Sequence, residues 1–157
     1  MWPSEWPTSA RAIAIAVDTA DHAARAADEP AFTEAIAELA ELPADQVGAV
    51  LAAIVRELLE VAHPDGLTGD DVRAVLEAVV RATVPWHPGL DVAAVIATLT
   101  GALGVDDAIE PEAPPADVHP AAVLLIAHLG ERTGMPARAA IGRAIGEIAR
   151  AETVEMP

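Results

Sequence analysis

Apolar positions along this chain recur at intervals of three and four, with almost no sustained alternation. Val47, Val50, Leu51, Ile54, Leu58 and Val61 form one such stripe. It predicts a helix opened by Pro43 and stopped at His63-Pro64, where proline cannot continue the hydrogen-bond ladder. Phe32, Ile36 and Leu39 predict a shorter helix from Pro30 to Leu42. Thr68 or Gly69 starts another that runs to about Thr83. Asp91 caps a fifth that runs to Leu103, and Asp117 a sixth that reaches Arg132 with Pro120 in its first turn. Pro136 opens a seventh to Glu152. The first segment, capped by Thr8 or Ser9 and ending near Asp28, is the one ambiguous case. There Ile13, Ile15 and Val17 alternate like a strand, but the alanines between them favour helix.

The expected fold is therefore all-α, with six to seven antiparallel helices arranged as a helical bundle or a short α-solenoid-like stack. The solenoid alternative comes from an internal echo. LPADQVGAVLAAIVR (42–56) and LTGDDVRAVLEAVVR (67–81) align without gaps, and nine of fifteen pairs are identical. The expected organisation is a single all-helical domain over 1–157. A Trp/Pro N-terminal arm occupies 1–8, and an acidic, proline-rich linker occupies 104–117.

Two helices stand apart from the rest. The sixth reads AAVLLIAHL over 121–129 and is apolar nearly all round, which marks it as a central or an interface helix. The seventh carries Gly142 and Gly146 four residues apart beside Ile141, Ile145 and Ile148. A mid-helix glycine costs about 0.5–1 kcal/mol against alanine. Close approach of another helix would offset that cost, so one or both of these helices are expected to serve in a homodimer.

Composition narrows the function. Nine arginines, no lysine and 25 acids give a formal charge of −16, which repels nucleic acid and anionic membrane. Thirty-seven alanines inflate the apolar fraction of 53%, but 46 larger apolar residues still suffice for one core. No apolar run reaches the ~20 residues a spanning helix needs. The N-terminus lacks the basic region and apolar core of a secretory signal. A cytoplasmic protein is the expectation.

Candidate chemistry is sparse. Without cysteine there is no thiolate nucleophile or ligand. The only serines are Ser4 and Ser9, in no nucleophile-elbow context, and Gly66 and Gly69 lack the lysine of a phosphate-binding loop. Glu60/His63 and Asp18/His22 have ligand-like spacings but fall short of a full coordination set. No metal, no cofactor and no enzymatic activity are expected.

His128 is the most informative ionisable group, because it sits on the most apolar helix with Glu131 and Arg132 one turn on. Trp2 and Trp6 form a doubled Trp-Pro step, stiffened by proline and expected to pack on the body or across a dimer seam. Asp18 to Asp45 holds eight acids against Arg25 alone. That suggests an acidic face for a basic protein partner. The expected function is a non-enzymatic interaction or regulatory module that self-associates, with interaction residues Trp2, Trp6, His128, Gly142 and Gly146. The alternative is a helical domain that binds a small apolar ligand beside His128.

Overall fold

In a computed structural model of the chain, residues 2–3, 6–103 and 115–155 are described. Seven helices follow in order: α1 (Thr8–Arg25), α2 (Glu29–Ala40), α3 (Ala44–Ala62), α4 (Gly69–Thr83), α5 (Val92–Leu103), α6 (Pro115–Thr133) and α7 (Ala137–Glu155). Among the described residues there is no strand. The alternating isoleucines of α1 are helical. Ile13 and Val17 are buried at i, i+4 while Ile15 points outward, so the alternation reflects one exposed residue in an apolar helix.

The helix ends follow local chemistry. Asp28 caps α2 by accepting from the Ala31 amide at 3.1 Å, and Pro30 sits in the first turn. Thr68 and Asp71 form a reciprocal capping box on α4 at 3.1 and 3.0 Å. Asp91 accepts from the Ala94 amide at 3.1 Å. Several boundaries differ from expectation: α2 ends at Ala40 rather than Leu42, α7 runs on to Glu155, and the ends of α1 and the start of α6 also shift. Pro7 rather than Thr8 or Ser9 occupies the N-cap of α1, with no side-chain cap. α1 also ends at Arg25, because Ala27 turns left-handed at φ 55°. Helix α6 begins at Pro115, which places Asp117 inside it and Pro120 beyond the first turn. Most of the expected acidic linker, 104–114, lies outside the described residues.

One continuous buried cluster draws on all seven helices. Its axis is α6, where Ala121 to Ala127 are buried without a break and Leu129 completes the run. α6 packs against each of the other six helices. In a solenoid each unit touches only its sequence neighbours. The architecture is therefore a bundle wrapped around a central helix, the first of the two expected arrangements. The all-round apolar character of α6 is satisfied within the chain, so it needs no second copy to cover it.

Candidate functional site

The C-terminal end of α1 forms the first candidate. Asp21 and Arg25 lie one turn apart, and Asp21 is 2% exposed. The Arg25 Nε donates to its carboxylate at 3.2 Å from one oxygen and 3.0 Å from the other. Burial pushes the Asp21 carboxyl above the usual aspartate value, outweighing the opposing pull of Arg25. Asp21 is thus an internal ion-pair member and takes no part in the acidic face expected from 18–45.

Arg25 can lie down here because α6 has no side chain at Gly130. A Cβ at that position would overlap Arg25 Nη2, which is buried with no hydrogen-bond partner. Beside this pair a cleft of about 140 Å³ is lined by Arg25, Ala27, Thr83, Trp86, His128 and Glu131, among others. His128 Nε2 is likewise buried without a partner. Desolvation lowers its pKa below the ordinary imidazole value, Arg132 adds to that, and Glu131 opposes it. The alternative reading calls for a wide apolar cavity beside His128. The cleft is narrower than the ~300 Å³ lower bound usual for ligand pockets.

His119, which the sequence pattern does not mark as a site residue, is the most enclosed histidine among the described residues. It is 5% exposed, its Nε2 is unpartnered, and burial lowers its pKa. Its ring packs by Gly48 of α3, where a Cβ would stand 3.7 Å from Nε2. His87 joins Phe32 and Trp86 in an aromatic cluster with centroids 5.4 to 5.6 Å apart, and lies 3.4 Å from a Glu29 carboxylate oxygen. That cluster pins the α4–α5 turn to α2. Asp18 and His22 are paired at 3.7 Å, with Asp18 half-buried and His22 in the open, and Glu60 is exposed. Among the described residues no three His, Asp or Glu side chains gather as a metal site would require.

The N-terminal arm and the outer face of α1 form the second candidate. Trp2 and Trp6 are half-buried against the core and stack with centroids 5.8 Å apart. The Arg138 guanidinium of α7 lies 5.3 Å over the Trp2 ring. Docking hides tryptophan area that would otherwise be free, and it builds a wall. Trp2, Thr8, Arg11, Ala12 and Ile15 line a groove of about 610 Å³. Ile15 is 57% exposed, the most exposed large apolar side chain of the described residues.

The α7 glycines do not serve packing among the described residues. A Cβ at Gly142 would meet none of their atoms within 4 Å, and one at Gly146 would meet the Arg150 guanidinium of the same helix at 3.6 Å. The close helix approach expected at this pair is therefore not made within the described part of the chain. Trp2 and Trp6 come together in the structure, whereas His128, Gly142 and Gly146 lie elsewhere.

Sequence reasoning missed the Asp21–Arg25–Gly130 arrangement and the exposure of Ile15. The i, i+4 spacing of Asp21 and Arg25 was a usable signal for the first. Nothing local separates Ile15 from Ile13. No helix of the described residues is long and apolar enough to cross a membrane. Compared with family models, curated proteins and solved structures, the chain matches none.

Proposed function

We propose that this chain is a non-enzymatic, cytoplasmic protein-interaction module whose docking surface is the groove between the tryptophan arm and the outer face of α1. The observation that carries this reading is Ile15. A large apolar side chain stands 57% exposed in a groove walled by Trp2, on a chain of net charge −16. Exposed apolar surface next to a rigid aromatic is the usual anchor of a protein interface. The enclosure of α6 supports the same reading, because it leaves outward side chains, Ile15 foremost, as the apolar surface a partner can reach.

The test is a photo-crosslinking amino acid placed at position 15, with position 96 of α5 as control, in cells producing the full chain. Ile96 is also exposed, at 44%, but does not line this groove. Covalent adducts at 15 and none at 96 are expected. No adduct at 15 overturns the proposal.

A further inference from the structure

Resting on that docking surface, we infer that its occupant is a second copy of the same chain, with the two α1 helices crossing antiparallel about a two-fold axis near Ile15. The groove has the right form. Thr8, Arg11, Ala12 and Ile15 stand at i, i+3, i+4 and i+7, the four corners of a hole that receives one knob from a facing helix. Trp2 closes one side of it. The exposed Ile15 of the second copy is an apolar knob of suitable size, and two-fold symmetry makes each copy both knob and hole.

Charge selects this occupant over others. Arg11 and Asp18 are seven residues apart, and helical rotation places both on the same flank of Ile15, about 40° and about 60° to one side. In an antiparallel pair related by a two-fold axis, a given flank of one helix faces the same flank of the other. Arg11 of each copy therefore meets Asp18 of the other, twice over. Arg11 Nε and Asp18 Oδ1 are buried within the chain without a hydrogen-bond partner, so contact with the second copy falls to the remainder of each side chain. The Asp18 side chain keeps 26% of its surface in solvent, its ionisable partner is the exposed His22 at 3.7 Å, and Arg11 lines the groove. A parallel two-fold pairing would put the two charged flanks on opposite sides of the seam, where neither Arg11 nor Asp18 meets an opposite charge. The surface is thus self-complementary in one orientation.

The experiment is sedimentation equilibrium of the full chain over the micromolar range, with charge-reversed variants. Wild type is expected to dimerise. Arg11→Asp and Asp18→Arg should each weaken the dimer by about tenfold or more, since each replaces two attractive contacts by two repulsive ones. Mixing the two variants should restore association. One chain of that heterodimer is acidic at both positions and the other basic at both, so each contact between position 11 and position 18 again joins opposite charges.

Circular dichroism checks that the variants fold. Ile15→Glu, at an exposed position, provides a second disruption should Arg11→Asp unfold the chain. A monomeric wild type, or a dimer indifferent to all three substitutions, overturns the inference. The adduct at position 15 separates the two proposals: twice the chain mass supports a second copy, any other mass overturns it while the docking surface stands, and no adduct removes both.

Discussion

Helices α3 and α4 begin from nearly the same sequence and end at different depths. Over 42–56 and 67–81 they share nine of fifteen residues, and Val50/Val75, Leu51/Leu76 and Val55/Val80 are identical pairs. α3 buries Val47, Val50, Leu51, Ile54, Val55, Leu58 and Leu59, packing on α6, α5 and α7. α4 buries only Val75, Val79 and Thr83, and packs on α6 and α5.

The differing positions account for this. Gly48 of α3 lies against His119 of α6, whereas its counterpart Arg73 is exposed. Ala52 is half-buried, whereas its counterpart Glu77 faces solvent. An apolar stripe sets which face a helix buries. Small or charged residues on the flanks set how many neighbours can close over it. α4, with less packing, carries the reciprocal Thr68–Asp71 cap, while α3 begins at Pro43 with no side-chain cap.

The largest expected contrast comes from the same truncation in both helices. Leu51→Ala removes a side chain 1% exposed and should cost about 3–4 kcal/mol, while Leu76→Ala at the half-buried equivalent should cost about 1–2. Urea denaturation gives both values, and equal losses would erase the distinction in depth.

Acid should next expose the α3–α6 contact. His119 and His128 have pKa values lowered by burial, so below about 6.5 the unfolded chain binds protons that the folded chain refuses. Their contribution is intact above that pH and is lost as the pH falls toward their folded values. Asp21, with a raised pKa, acts with the opposite sign and in a more acidic window. The urea midpoint should therefore fall between about pH 7.5 and about pH 5.5 in wild type, and less in His119→Gln. An unchanged slope in that variant would mean the ring beside Gly48 titrates freely.

Capping supplies the third contrast. Thr68→Ala should cost about 1 kcal/mol, and Pro43→Ala well under half of that, because only the former removes a cap bond. The last effect has the opposite sign. Gly48→Ala should stabilise α3 by about 0.5–1 kcal/mol, since a Cβ there meets His119 Nε2 at an ordinary 3.7 Å. Net destabilisation would show that the ring cannot accept the methyl group.

Much of the fold was legible. Proline, threonine and aspartate at helix starts, apolar residues every third or fourth position, and the continuous apolar run of α6 are local features. Local hydrogen bonding and burial suffice to turn them into helices. Errors fell where a distant element decided. Asp21 read as surface charge because its burial depends on the rest of the fold, including an Arg25 partner that Gly130 of α6 makes room for. Gly142 and Gly146 are a different case: the homodimer expected there lies beyond a single chain, in which no other helix among the described residues comes to meet them.

By itself, then, the sequence determined six to seven helices, their buried faces and the caps at Thr68 and Asp91, together with an acidic chain lacking cysteine and lysine. Each of these depends on contacts within about one helical turn or on composition alone. Tertiary structure alone decided that α6, marked by its sequence as central or interfacial, is the hub, and that α3 sinks while its near-twin stays shallow. It also decided that Ile15 stands outside while Ile13 and Val17 go in, beside an arm pinned by Arg138 over Trp2. The physical reason is that an amphipathic pattern gives a helix a direction to face, whereas depth depends on how many other surfaces arrive from elsewhere in the chain to exclude water from it.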